Sequence, residues 1–157
     1  MELKELTSAF AAKLGINGLA AEDGVCALEI DGIPLQIAEM AAGGALLATA
    51  VVGPPPPERL EKFYQALLDA GHNFAGAGGG VLTRNPGDGH IWLQSRESLS
   101  SLDVEAALAK IKSLGDAAVN WRDIIREYRE GAPIPEPETA TTYEAPDGGG
   151  NVGLMMV

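Results

Sequence analysis

Apolar and polar positions along this chain change period several times, and each change marks an element. Leu3, Leu6, Phe10 and Leu14 recur at helical spacing with Glu2, Lys4, Glu5 and Lys13 between them, and Gly15 follows as a stop. Beyond the turn-rich residues 16–24 the period drops to two. Cys26, Leu28 and Ile30 alternate with Ala27, Glu29 and Asp31, which predicts a strand with one wet face. Asp31-Gly32 is a hairpin signal, because a two-residue type I′ turn needs positive φ at both central positions. On the return strand Ile33, Leu35 and Ile37 alternate with Pro34, Gln36 and Ala38; Pro34 leaves that strand short of a partner near its start, or at an edge there. Residues 41–44 then turn the chain into a third strand of an antiparallel meander.

The sharpest switch lies in residues 46–71, LLATAVVGPPPPERLEKFYQALLDAG. The continuous apolar run 46–52 suits a strand buried on both faces, and the prolines at 54–57 end its ladder. Pro57 suits the first turn of a helix. Leu60, Phe63, Tyr64, Leu67 and Leu68, at i, i+3, i+4, i+7 and i+8, then form one stripe, and Gly71 supplies the stop. GHNFAGAGGG reads as a flexible loop, and residues 81–84 and 90–94 flank NPGDG as a second hairpin.

Val104, Leu108, Ile111, Leu114, Ala118, Trp121, Ile125 and Tyr128 step by threes and fours through a long helix capped by Ser101 or Asp103. Gly115 inside it costs about 1 kcal/mol against alanine, which predicts a bend or a close packing contact. The fold class is therefore α+β, in the order α-β-β-β-α-β-β-α, with an antiparallel twisted sheet packed by helices. Residues 1–130 form the domain. Residues 131–157 are rich in Pro, Gly, Thr and Glu and read as a flexible acidic tail with an apolar end at 152–157. That end either docks on a groove of its own or a neighbouring subunit or is disordered.

The formal charge of −11, from 11 Lys plus Arg against 22 Asp plus Glu, argues against nucleic acid and anionic membrane as partners. Cys26 is the sole cysteine, so no intrachain disulfide forms, and its neighbours offer no base or positive charge to make it a nucleophile. MELKELTSAF has no basic leader with an apolar core, and no run approaches the roughly 20 apolar residues of a spanning helix. The expected address is the cytoplasm, with no membrane insertion.

The glycines at 76–80 lack the Gly-Lys-Ser or Gly-Lys-Thr that leads a phosphate loop into a helix. His72 and His90 have no neighbouring ligand at metal spacing, and the serines at 95, 98, 100 and 101 lie in no nucleophile elbow. No catalytic residue, metal ligand or cofactor is expected. A small enzyme would need a pocket that joined His90 to a carboxylate. Trp92 and Trp121 read as core or interface packing in preference to ligand platforms.

LGI-x-x-L at 14–19, D-G-x-C-x-L-x-I at 23–30 and FY-x-x-LL at 63–68, in that order, resemble the class I type III secretion chaperones of the CesT, or Tir-chaperone, family. The resemblance covers about residues 3–128. It implies a cytoplasmic homodimer without enzymatic activity, which holds the N-terminal segment of a secreted effector extended and presents it to the secretion apparatus and its ATPase. In that family the second helix and the following strand build the dimer interface, which by position points to Phe63, Tyr64, Leu67, Val81 and Leu82. The first helix and sheet surfaces receive the effector, which points to Leu6, Phe10, Leu28, Ile30, Leu35 and Ile37. The glycine-rich 76–80 connector and the 27 residues after Glu130 depart from the family pattern. A regulatory or scaffold protein-binding module of the same fold is the competing reading.

Overall fold

The computed structural model describes residues 2–15, 19, 21–40, 44–74, 76–98 and 103–131, apart from the side chains of Leu14 and Asn73. The expectations for Ser101, for the turn at 41–43 and for the tail at 132–157 lie outside these residues. Helix α1 (Leu3–Leu14) closes on Gly15, whose φ of 65° is the left-handed C-terminal cap that glycine tolerates. Strands β1 (Val25–Ile30) and β2 (Ile33–Glu39) form the expected hairpin, with Asp31 at φ 48° and Gly32 at φ 77°. Strand β3 (Ala45–Gly53) completes the meander. Pairing of β2 with β3 begins at Leu35 opposite Ala50, so Pro34 has no β3 partner, as its missing donor requires.

Helix α2 (Leu60–Gly71), a 3-10 turn at His72–Phe74, strands β4 (Val81–Arg84) and β5 (Ile91–Ser98) and helix α3 (Val104–Arg129) follow. β5 returns to pair with β3, giving the antiparallel order β1-β2-β3-β5-β4 with β1 and β4 at the edges. The β4–β5 turn is held by Asn85, whose side-chain oxygen accepts from Gly87 N–H at 2.8 Å, and by Asp88, which accepts from His90 N–H at 2.9 Å. Asp103 caps α3 by accepting from Ala106 N–H at 2.7 Å.

The core lies on one face of the sheet. Cys26, Ile37, Ala48, Leu82 and Leu93 belong to the same buried cluster as Leu6 and Phe10 of α1, Phe63 and Leu67 of α2, and Leu114 and Trp121 of α3. Strand β3 is consequently not buried on both faces, as its unbroken apolar run predicts. Leu47 and Val51 are half-buried and outside the cluster, because the helices all contribute to the opposite face. Gly115 makes the close contact expected of it: a Cβ there would lie 2.9 Å from Ile30 Cδ1.

Two local expectations are corrected. Helix α2 starts at Leu60 and not at Pro57, because Arg59 takes the left-handed conformation (φ 54°) at the N-cap while its carbonyl accepts from Phe63 N–H at 3.1 Å. The glycine connector is pinned in place. Trp121 Nε1 donates to Gly76 O at 2.8 Å and Ser113 Oγ to Gly78 O at 3.2 Å, and a Cβ on Gly78 or Gly80 would collide with the carbonyl oxygens of Ser113 and Gln94. The missing side chains let this backbone lie directly on α3 and β5.

Candidate partner-binding surfaces

Helix α2 carries an apolar stripe wider than its own chain covers. Phe63 is 0% exposed, with its ring 6.5 Å from that of Trp121 in an edge-on arrangement and 6.1 Å from that of Tyr128. Leu67 is buried beside it. The outer half of the stripe, Leu60, Tyr64 and Leu68 at i, i+4 and i+8, is bare: Leu60 is 40% exposed, Leu68 74%, and Tyr64 is half-buried. Phe74 just beyond the helix is 58% exposed, and Val81 on the edge strand β4 is 48% exposed. Scattered apolar residues on a surface are ordinary, but a run of large ones on one helix and the following turn and strand marks a contact surface.

The sheet face turned away from the helices is the second surface. Strand parity and register place Val51 of β3, Trp92 of β5 and Thr83 of β4 side by side. The next row on this face is polar at its centre, where Gln94 Nε2 donates to Thr49 Oγ1 at 3.4 Å and Thr83 Oγ1 to Gln94 Oε1 at 3.2 Å, and ends at β4 in Val81 opposite Gln94. Beyond that row Val25, Ala38 and Leu47 fall in line across β1, β2 and β3. Trp92 Nε1 is shut off from water yet has no hydrogen-bond partner among the described residues. An unmet indole donor of this kind costs on the order of 1–3 kcal/mol. Beside this face β1 is an edge strand, bridged by Glu22 at Val25, and beyond that bridge no strand among the described residues pairs with its outer edge.

These surfaces divide the residues singled out from the sequence. Of the interface set, Phe63, Leu67 and Leu82 are covered by their own chain, whereas Tyr64 and Val81 keep exposed surface. Of the effector set, Leu6, Phe10, Leu35 and Ile37 are core residues with almost no accessible surface, and Leu28 and Ile30 are half-buried against the core. Leu47 and Val51, expected inside a strand buried on both faces, and Phe74, expected in a flexible loop, also keep exposed surface. The sequence reading recognised Leu60 and Leu68 as apolar helix positions but had no means of setting them apart from Phe63 and Leu67. Counting the strand parity of Trp92 against Ile91 and Leu93 would have flagged the open face.

Among the described residues these surfaces gather no cluster of reactive groups. His90 Nδ1 lies 3.6 Å from Asp88, but both side chains stand in solvent on the β4–β5 turn. Burial raises the Cys26 thiol above its ordinary pKa, which disfavours the thiolate. Among the described residues no cluster of three His, Cys, Asp or Glu could hold a metal ion. No helix among them is long and apolar enough to cross a membrane.

A single-faced core with a partly exposed apolar helix stripe and an open sheet face of mixed apolar and polar rows defines an α+β domain. The chain belongs to the Tir chaperone protein (CesT) family, whose model matches residues 5–122. Three solved complexes share its fold. One chain of the ExsC–ExsE complex is 20% identical, with a TM-score of 0.66 over 80% of this chain and 97% of that one. One chain of the heterodimeric ExoU–SpcU complex from the type III secretion system of Pseudomonas aeruginosa is 17% identical, with a TM-score of 0.61 over 80% and 98%. One chain of the structure of the Yersinia pestis type III secretion chaperone SycH with a stable fragment of YscM2 is 21% identical, with a TM-score of 0.59 over 74% and 97%. No curated protein matches the chain by sequence.

Proposed function

We propose that this protein is a cytoplasmic, homodimeric type III secretion chaperone that binds the N-terminal segment of a secreted effector and keeps it extended for delivery to the secretion ATPase. The observation that carries this reading is the distribution of apolar surface. The core closes on one sheet face, yet Leu60, Leu68 and Phe74 on one side keep exposed surface, as do Val25, Leu47, Val51, Val81 and Trp92 on the open sheet face. Family membership and the chaperone–effector complexes of similar fold support it.

In this reading the outer stripe of α2 and Val81 meet their counterparts on a second copy, because a helix stripe and an edge strand are self-complementary across a two-fold axis. Tyr64 and Val81 therefore keep the interface role that the resemblance gives them, and Leu60, Leu68 and Phe74 join them. The effector role shifts from Leu6, Phe10, Leu35 and Ile37, which are core, to the open sheet face flanked by Leu28 and Ile30. An extended segment lying on that face sets same-face side chains on the Val51–Trp92 and Val25–Leu47 patches, and the outer edge of β1 beyond the Glu22–Val25 bridge offers backbone hydrogen bonds. The arrangement binds and releases; it supplies no group that makes or breaks a covalent bond.

Purification of the protein with its partner from the native cell, followed by protease digestion and peptide mapping, tests the proposal. The expected result is a protected, extended fragment from the N-terminal region of one secreted protein. Protection of an intact folded partner would favour the regulatory or scaffold module.

A further inference from the structure

The cationic side chains of the C-terminal half of α3 form a site that the chaperone reading leaves unused. Arg122, Arg126 and Arg129 recur at i, i+4 and i+7, and with Val52, Pro54 and Ile125 they line a cleft between α3 and the end of β3. Its floor is apolar, since Val52 and Ile125 are buried core residues. Arg122 donates to Asp31 O at 2.6 Å and Arg129 to Pro54 O and Pro55 O at 3.4 and 3.3 Å, all uncharged acceptors. Asp123, 3.6 Å from Arg122 and 3.3 Å from Arg126, is the one carboxylate paired with the three guanidiniums among the described residues. The cleft thus stays cationic on a chain of formal charge −11.

The chain itself provides the complementary chemistry two residues later. Gly131, at φ 94°, turns the backbone off the end of α3 as its N–H donates to Tyr128 O at 3.2 Å. There follow Ala132, Pro133, Ile134, Pro135, Glu136, Pro137 and Glu138, and no Lys or Arg occurs after Arg129. Alternate prolines favour an extended arm of about 3.1 Å per residue, against about 1.5 Å per residue along the helix. An arm running back along α3 from Gly131 would bring Ile134 level with Ile125 at about 9 Å and Glu136, at about 15 Å, level with Arg122 at about 14 Å.

We propose that residues 132–138 fold back along α3 of their own chain and dock in this cleft, with Ile134 against Val52 and Ile125 and with Glu136 and Glu138 on the arginine rim. The arm is an acidic, proline-stiffened strap whose hold weakens with salt, because its charge pairs are at the surface. This docking stands independently of the chaperone reading.

A nitroxide attached to a Thr139→Cys variant of the full-length chain tests it through paramagnetic broadening of backbone amides, with Cys26 shielded in the core. The expected result is broadening of amides within residues 122–129, lost in 0.5 M salt and in the Glu136→Lys, Glu138→Lys double variant. Arg126→Glu should also abolish it, and Arg126→Glu combined with the two lysine changes should restore it at least in part. Absence of broadening in α3 at low salt would overturn the proposal. So would broadening that appears only between a labelled and an unlabelled chain in a mixed sample, since that is docking on a second copy.

Discussion

The guanidinium of Arg59 lies 4.0 Å from the centre of the Tyr128 ring, donates to the Tyr128 carbonyl at 2.9 Å, and has its own carbonyl engaged by the Tyr128 hydroxyl at 3.2 Å. These reciprocal contacts tie the N-cap residue of α2 to the last turn of α3. They also hold Arg59 in a left-handed conformation that costs a residue with a Cβ about 1–2 kcal/mol. The pair thereby aims α2 so that one half of its stripe faces α3 and the other half faces outward.

Replacing Arg59 separates the contact from the strain. Arg59→Ala keeps the strained backbone and loses both the stacked cation and its hydrogen bond, so it should destabilise by about 2 kcal/mol. Arg59→Gly loses the same contacts but relieves the strain and should be about 1 kcal/mol less harmful. Tyr128→Phe removes one hydrogen bond and should cost about 1 kcal/mol. Urea titration gives the order; Arg59→Gly proving the worst of the three would contradict the strain argument.

The glycine connector allows a clean steric test. A Cβ on Gly80 would lie 2.6 Å from the Gln94 carbonyl oxygen and 2.9 Å from Leu114 Cδ1, so Gly80→Ala should destabilise by about 1–3 kcal/mol. At Gly71, the last residue of α2, no atom lies within 4 Å of the new Cβ. Gly71→Ala should be neutral or stabilising by up to about 1 kcal/mol. Thermal melts of the two variants should move in different directions or differ by several degrees.

The two halves of the α2 stripe should respond differently to substitution. Phe63→Ala empties a fully buried site and should cost about 3–5 kcal/mol of stability. Leu68→Asp alters a residue with most of its surface in water and should leave the melting temperature of the isolated fold nearly unchanged. Light scattering should show it shifting dimers of twice 16.3 kDa to monomers. A Leu68→Asp protein that stays dimeric at micromolar concentration would remove α2 from the proposed interface.

Cys26 should report on opening of the core. It is fully buried, and burial pushes its thiol above the ordinary value, so alkylation at pH 7–8 should wait for exposure of β1. The raised folded-state pKa also sets a sign. The unfolded thiol ionises first, so this group's contribution to stability is intact below the ordinary thiol value and declines as pH rises through it. Rapid alkylation of the native protein at pH 7.5 would contradict the burial.

Element order and the Asp31–Gly32 turn were legible in the sequence because each depends on local chemistry or period, which also narrowed the α3 cap to Ser101 or Asp103 and Gly115 to a bend or a close contact. Which half of a stripe its own chain covers was not. Phe63 and Tyr64 are adjacent on the same apolar helix, and what separates them is where Tyr128 and Trp121, some sixty residues on, are placed. Leu47 and Val51 were hidden for a related reason: an unbroken apolar run masks strand parity, and only the return of β5 beside β3 shows which face is left open. Leu35 and Ile37 went the other way, since a clean alternation cannot tell a core from a groove. The pinned glycine connector escaped because its partners, Ser113 and Trp121, are remote in sequence.

Photo-crosslinking from two positions in the cell of origin tests the proposed division of surfaces most directly, with benzoyl-phenylalanine placed at Leu47 on the open sheet face or at Leu68 on α2. The expected result is that position 47 captures the N-terminal segment of a secreted protein and position 68 captures a second copy of this chain. Capture of the second copy from position 47, with no product from position 68, would contradict the assignment of these surfaces.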